Sequence, residues 1–349
     1  MSLFGTVKDH TLIGGVNALS GWGLLVLLVL SQGISSPSLG IIQPRPGVDL
    51  YLFLAVLAGA AFTGNGVYAL NAYYDIEIDK VNKPKRPLPS GRMKPEHALR
   101  YAIILMVLGM LVAAVVSISL SNPLMLILWT IFTLLGIAYT TPPVKLKARH
   151  IYGNLCFGTF AVLAFFIGMI VRPWIISDLI QTFIVYSFFI LYVAGIITMK
   201  DFSDYEGDKK NGDITLPVKF GRRKAAAISI GIMAIPTVVF SVMWPSTSIV
   251  DWIYRNWGFL VVAVSFIVYI ALDYVGRDHV LSNSYSKVIY FYVILTAAYG
   301  FIRGSVLPKY FLDLMGTWER FIQLAIYVIV ATFTVLQSSR KEKDILQPT

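Results

Sequence analysis

Cysteine is almost missing from this chain: one residue, Cys156, occurs in 349, inside an apolar run. That excludes an intrachain disulfide and leaves no Cys-based metal site, so Cys156 reads as a core residue. Histidine is scarce too. His10, His97, His150 and His279 are scattered over termini and loops without ligand spacing, and the scatter gives none of them a role. Charge is the third scarcity. Asp, Glu, Lys and Arg make up 14% of the chain, against 56% hydrophobic residues and a mean hydropathy of +0.70. Soluble domains carry about 25% charged residues, so an ordinary soluble domain is excluded and the chain reads as a membrane protein. RNA-binding motifs and low-complexity tracts are absent as well, which leaves the net charge of +10 to be explained without nucleic acid.

What the sequence has in quantity is long apolar runs. A spanning helix needs roughly 20 mainly apolar residues, and such runs are centred near residues 24, 61, 109, 131, 162, 189, 234, 265, 294 and 328. The expected fold class is therefore all-α, a polytopic membrane helix bundle, read as one domain over residues 1–349. The N-terminal stretch MSLFGTVKDH lacks a strongly basic start and no small-residue cleavage site follows it, which predicts a retained first helix and no signal peptide. With the N-terminus inside, 23 of the 29 Lys and Arg fall in inward segments, leaving Arg45, Arg172, Arg255, Arg303, Lys309 and Arg320 outside. Cytoplasmic loops collect basic residues, so both termini are expected in the cytoplasm, with the bases facing an anionic leaflet.

Acids are distributed even less evenly. Eight of the 19 Asp and Glu fall in two short stretches, NAYYDIEIDK at 71–80 and KDFSDYEGDKKNGD at 200–213. Both lie at the inner ends of even-numbered expected helices, so both open on the same side and can face one cavity. Asn71, Asp75 and Asp79 are four apart; Asp201, Asp204 and Asp208 are three and four apart. On a helix each trio projects from one face over about two turns. Like charges stacked beside hydrocarbon are costly, which marks them as functional candidates and asks for a cation between them. Carboxylates with an Asn carbonyl, and neither His nor Cys, suit a hard ion such as Mg²⁺, completed by water and substrate phosphate.

Solvated helix ends would account for either stretch alone; two matched stretches on one side are harder to explain that way. The bases that follow, Lys83, Lys85, Arg86 and Arg92 after the first stretch and Lys209, Lys210, Arg222, Arg223 and Lys224 after the second, have a sufficient reading as positive-inside residues. Arg86 stands apart. Prolines restrain its loop, and a guanidinium can grip phosphate in a bidentate manner. Tyr68, Tyr73, Tyr74 and Phe202 lie within a few residues of the acids, where aromatic faces can shield a cationic fragment, although packing is the commoner duty of rings in a bundle.

The first stretch resembles the N-x-x-x-D-x-x-x-D signature of the UbiA superfamily of intramembrane prenyltransferases, and Asp201, Asp204 and Asp208 resemble its second, D-x-x-D-x-x-x-D, signature. YTTPPVKLK at 139–147 and TLPVKFG at 215–221 are similar to further segments of that family, and together these cover residues 50–304. The resemblance implies Mg²⁺ held by Asn71, Asp75 and Asp79 on one side and by Asp201, Asp204 and Asp208 on the other, with Asp75, Asp79, Asp204 and Asp208 catalytic. It also implies a polyprenyl diphosphate donor and prenyl transfer to an acceptor within the membrane. Lys83, Arg86, Tyr139, Lys145 and Asn17 are then the candidate diphosphate- or acceptor-binding residues. Read without the family, Tyr139 is an interfacial anchor and Lys145 a loop base.

Two departures stand out. Relatives carry Arg-Pro before an Asn in the first helix, where this chain has IGGVN ending at Asn17. The family has nine helices, forming a core here over about residues 10–304, whereas residues 319–338 look like a tenth. The acidic loops look most like the branch that alkylates the hydroxyl of geranylgeranylglyceryl phosphate in archaeal ether-lipid synthesis, with geranylgeranyl diphosphate as donor. Chlorophyll synthase and the enzymes that prenylate aromatic acids or quinone precursors remain alternatives. A divalent-cation transporter is the alternative of another class, but transport sites lie near the bilayer midplane, and these acids lie at helix ends. A soluble prenyl diphosphate synthase also pairs Asp motifs, but ten lipid-length apolar runs weigh against it.

Overall fold

The structure, a computed structural model, describes residues 50–171 and 176–243, with scattered positions from 245 to 274. The helices are α1 Leu50–Tyr74, α2 Ile76–Asn82, α3 Pro95–Ser119, α4 Pro123–Thr140, α5 Ile151–Ile170, α6 Ile176–Asn211, α7 Leu216–Phe220 and α8 Arg222–Met243. Among the described residues the one β-type pairing is a parallel bridge between Arg149 and Ile214. Six of the expected spans, those centred near 61, 109, 131, 162, 189 and 234, coincide with α1, α3, α4, α5, α6 and α8. The spans near 24, 294 and 328, most of the one near 265, Asn17, and the expected tenth helix at 319–338 lie outside the described residues.

Local chemistry sets the helix ends. Pro95 begins α3, where a missing N–H costs nothing, and Glu96 meets the positive end of the helix dipole. Asn122 caps α4, its side chain accepting from the Leu124 amide at 3.0 Å. The segments Pro95–Ser119, Pro123–Thr140 and Ile151–Gly168 are each long and apolar enough to cross a membrane.

One face of α3 is small, with Ala98, Ala102, Gly109 and Ala113 all buried. This lets α1 come close: a Cβ at Gly109 would sit 3.1 Å from the Gly59 carbonyl oxygen, and one at Gly66 2.9 Å from that of Ala102. Small residues at such crossings are how membrane helices gain packing without a hydrophobic drive. The opposite face carries Ile104, Leu108, Leu111, Val115 and Ile118, all exposed. Spaced three and four apart, they form one stripe. Water would make such a stripe an aggregation liability; hydrocarbon is the surrounding it needs.

The described residues fall into two compact units: 50–146 with 159–171 and 176–185, and 147–158 with 186 onward. In the first, Trp129 and Met125 sit in a core with Val56, Val116, Phe132 and Ile167, and the Trp129 indole donates to the Thr63 hydroxyl at 2.9 Å. Most of α6, from residue 186 on, lies in the second. Its 36 residues span about 54 Å at 1.5 Å each, far more than a hydrocarbon core of about 30 Å. The surplus is the polar end, residues 200–211. Gly212, at φ 79°, then stops the helix as Asp213 N–H reaches back to the Asp208 carbonyl at 2.9 Å, the six-to-one bond of a Schellman motif.

Candidate active site

The first acidic stretch is not one continuous helix. At Asp75, φ is −98° and ψ 12°, in the sparsely allowed bridge region, and α1 ends there before α2 begins. The four-residue backbone bonds nevertheless run through the break, from Asp75 to Asn71 at 2.9 Å and from Asp79 to Asp75 at 2.7 Å. The side chains therefore stay in sequence along one face. The Asn71 amide nitrogen donates to Asp75 Oδ2 at 2.8 Å, and its oxygen accepts from Thr140 Oγ1 at 3.1 Å. Asn71 thus orients Asp75 and ties it to the end of α4. Glu77 departs from this face, pairing with Lys80 at 2.6 Å while both are exposed, an arrangement of little energetic worth.

Asp79 is the centre of the charge pairing. Its side chain is only 4% exposed and receives Arg86 Nη1 at 2.8 Å, with Lys83 Nζ at 3.7 Å. Arg86 also donates to the Tyr68 hydroxyl at 3.0 Å and lies over the Tyr68 ring. Burial works against the Arg86 charge, but Tyr68 and Asp79 more than offset it and hold its pKa above the ordinary arginine value. The loop that aims Arg86 is anchored: Leu88 and Met93 are buried in a cluster with Ala69, Ala72 and Ala98. Local bonds close it further, with Ser90 N–H to the Arg86 carbonyl at 3.0 Å and Met93 N–H to the Pro87 carbonyl at 3.1 Å.

Tyr139 and Lys145 flank the Thr140 contact to Asn71. The Tyr139 ring packs edge-on against Phe160 at 5.9 Å. Lys145 adopts φ 37°, its N–H bonding the Thr141 carbonyl at 2.9 Å. Asn71, Asp75, Asp79, Lys83, Arg86, Tyr139 and Lys145 all belong to the first unit.

The second stretch lies on the polar end of α6, past its apolar run. Asp201, Asp204 and Asp208 are each at most 9% exposed, and Asp213 5%; these four acids are buried, not solvated. Lys200 pairs with Asp204 at 3.3 Å. Burial pushes the Asp201 carboxyl up to about 7, with Lys200 opposing and Asp204 adding to the rise. Burial likewise takes Asp208 to about 8, against Lys200 and with Asp204, Asp201 and Asp213 contributing. Glu206 faces outward and binds Arg222 at 3.2 Å. The bases here sit on rings, Arg222 over Tyr205 at 4.5 Å and Arg223 over Tyr274 at 3.5 Å from the ring centroids.

Among the described residues, no three His, Cys, Asp or Glu side chains close around one point as a ready-made cage. Mg²⁺ does not need one, because it takes few protein oxygens and completes its octahedron with water and substrate phosphate. The donors of each stretch fit it separately: buried carboxylates with an amide at 71–79, and at 201–208 buried carboxylates whose negative charge is costly enough to raise the pKa values of Asp201 and Asp208. Thr140 and Lys200 were not singled out by their sequence. A threonine hydroxyl at the end of an apolar run and one base among many carry no period, although Lys200 stands four residues before Asp204, a spacing that brings helical side chains together.

Residues 35–295 match the profile of the UbiA prenyltransferase family. The chain is 31% identical over 226 residues to the digeranylgeranylglyceryl phosphate synthase of Methanosphaera stadtmanae, covering 65% of this chain and 76% of that one. It is also 31% identical over 235 residues to the synthase of the same name from Methanosarcina barkeri, covering 67% and 75%. Among solved structures it resembles a UbiA homologue from Archaeoglobus fulgidus bound to GPP and Mg²⁺, with a TM-score of 0.61, 22% identity, and coverage of 85% of this chain and all of that one. That last likeness bears on the fold, an all-helical membrane bundle. The family profile spans the apolar helices and both acidic stretches, and this integral membrane chain belongs to the UbiA prenyltransferase family.

Proposed function

We propose that the chain transfers a geranylgeranyl group from its diphosphate to the free hydroxyl of geranylgeranylglyceryl phosphate, in membrane ether-lipid synthesis, as a single catalytic domain that depends on Mg²⁺. The observation that carries this is the pair of buried acid columns at the ends of apolar helices, Asn71–Asp75–Asp79 and Asp201–Asp204–Asp208. The relatives at about the same identity that bear the synthase name support the acceptor. In the reaction the bond from the allylic carbon to the diphosphate oxygen breaks, a bond from that carbon to the acceptor oxygen forms, and the hydroxyl proton passes to the released diphosphate.

Asn71, Asp75 and Asp79 would hold one Mg²⁺, and Asp201, Asp204 and Asp208 another; the ions would supply the charge that makes diphosphate a leaving group. The chain's own residues do the rest. Asn71 fixes Asp75, and Arg86 and Lys83 bring positive charge to Asp79 at the mouth of the same column. That charge, preorganised where the leaving oxygen becomes negative, needs no rearrangement during reaction. Tyr139 and Lys145 belong to the segment that Thr140 ties to Asn71, a placement that supports their expected part in binding diphosphate or acceptor. The apolar helices exclude water from the allylic carbon. The loops at 80–97 and 200–224, with both termini, face the cytoplasm in this reading, in keeping with the basic inward segments.

The test is direct. Detergent-purified protein is incubated with Mg²⁺, geranylgeranyl diphosphate and each candidate acceptor, and products are followed by mass spectrometry. Alkylation of the glycerol phosphate alone is expected; prenylation of a chlorophyllide or an aromatic acid in its place removes the acceptor assignment.

A further inference from the structure

Just below the second acid column lies a set of polar side chains in the apolar interior. Asn154, in the first turns of α5, donates from Nδ2 to the Ala194 carbonyl at 3.0 Å and to Thr198 Oγ1 at 2.8 Å. Ser229 of α8 donates to the same Thr198 oxygen at 2.7 Å. Asn154 is 3% exposed, Thr198 and Ser229 not at all. Such groups have no water to turn to, so an amide and two hydroxyls that find one another fix the three helices in one roll and one depth. Thr198 precedes Asp201 by three residues, on the same helix.

A few residues before Asn154, the chain grips the other end of the column. His150, at φ 46°, sends both its backbone N–H and its Nδ1 to the Ile214 carbonyl, each at 2.8 Å. A carbonyl oxygen only accepts, so Nδ1 carries the proton. The Ile214 N–H returns to the Ala148 carbonyl at 3.1 Å. Between the two grips runs the acid-bearing end of α6, about 15 Å from Thr198 to Asp208 at helical rise. All of these residues belong to the second unit.

We infer that residues 148–154 form a clamp that holds the acid-bearing end of α6 at two heights, making Asn154 and His150 positioning residues for the second acid column. The inference rests on the reading of Asp201, Asp204 and Asp208 as the metal-holding set. A roll of α6 of one residue turns every carboxylate by about 100°, so three buried hydrogen bonds below and three at the far end decide where the oxygens point. The Asn154 side chain touches no substrate in this scheme; it acts through the helix.

The experiment uses the full-length protein in detergent, with Mn²⁺ as an EPR-visible probe beside an unreactive thio-analogue of the prenyl diphosphate. Thr198→Val removes the shared oxygen at constant shape, and Thr198→Ser keeps it. His150→Gly removes the side-chain donor while tolerating the left-handed backbone, and His150→Asn restores an amide donor near the Nδ1 position. Thr198→Val and His150→Gly are each expected to weaken Mn²⁺ binding about tenfold, the lower end of the cost of losing an outer-shell support. Thr198→Ser and His150→Asn should bind as the unaltered protein does. Unchanged Mn²⁺ affinity in both deleted variants, with only the melting temperature lowered, overturns the clamp. So does failure of both to fold, since a positioning role leaves the fold standing. Asp204→Ala is the control that separates the two readings: if it binds Mn²⁺ normally, the metal-holding set itself is wrong.

Discussion

At the first acidic stretch the buried carboxylate is paired; at the second, buried carboxylates are crowded. Asp79 has a guanidinium at 2.8 Å and an ammonium at 3.7 Å. Asp201 and Asp208 instead lie beside further acids, and burial with that crowding lifts them to about 7 and about 8. Two clusters alike in spacing are thus unlike in electrostatics. The first has a buried carboxylate gripped by a guanidinium; the second sets Lys200 against three buried carboxylates, too little to offset the cost of burying their charge.

Removing the metal should have the largest effect. Exhaustive chelation is expected to abolish product by mass spectrometry, and full turnover without divalent ions would mean that neither cluster holds an ion the reaction needs. Asp75→Ala and Asp204→Ala come next, each expected to lower kcat by about 10²–10³-fold, the scale of losing several kcal/mol of charge stabilisation. Near-normal turnover in either would withdraw the proposed role of that column.

Stability separates the clusters more sharply. Arg86→Gln strands a buried Asp79 carboxylate and should cost about 2–4 kcal/mol in reversible unfolding, the range for breaking a buried pair with one partner partly exposed. Lys83→Gln, at a longer and more exposed pair, should cost less than about 1 kcal/mol. Equal costs would mean that Asp79 is not held by the guanidinium.

Lys145→Met tests whether the Tyr139–Lys145 segment serves the acceptor. Its ammonium is a compact point charge suited to a phosphate that need not be gripped by two bonds. An acceptor KM raised about tenfold, with the donor KM unchanged, is expected for loss of ground-state binding to one substrate; an equal rise in both places Lys145 on the diphosphate.

The last expected effect is in pH. Because the folded-state values of Asp201 and Asp208 lie above those of an unfolded carboxylate, the folded protein binds protons more tightly. The associated stability is fully present below the unfolded value of about 4, and is lost as pH rises through about 7 and about 8. Metal-free protein should therefore melt at a higher temperature at pH 6 than at pH 9, and Mg²⁺ should flatten the difference. A melting temperature that instead rises toward pH 9 would show that burial does not hold these carboxyls above the ordinary carboxylate value.

The helices were legible because apolar runs of spanning length have few competing readings, and the acid columns because spacings of three and four recur. What could not be read was tertiary. The break at Asp75 leaves the spacing intact, so nothing in the letters marks it. The Thr140–Asn71 bond joins residues 69 positions apart and the Asn154–Thr198 bond residues 44 apart; single polar letters inside apolar runs announce no partner. Arg86 was legible as special from its prolines, but not that it would lean on Asp79 and Tyr68. His150, left without a role by its lack of ligand spacing, gains one only when Ile214 is brought beside it.

The length of α6 makes the enzyme a depth gauge. Its acids ride on the same rigid rod that crosses the bilayer, so a change of about 3 Å in hydrocarbon thickness displaces the column by two residues of helical rise unless the rod tilts. Membranes of different lipid length would then present the carboxylates to the headgroup layer at different heights. Turnover measured across vesicles of graded acyl length should pass through an optimum, set by the distance from the apolar run to Asp201.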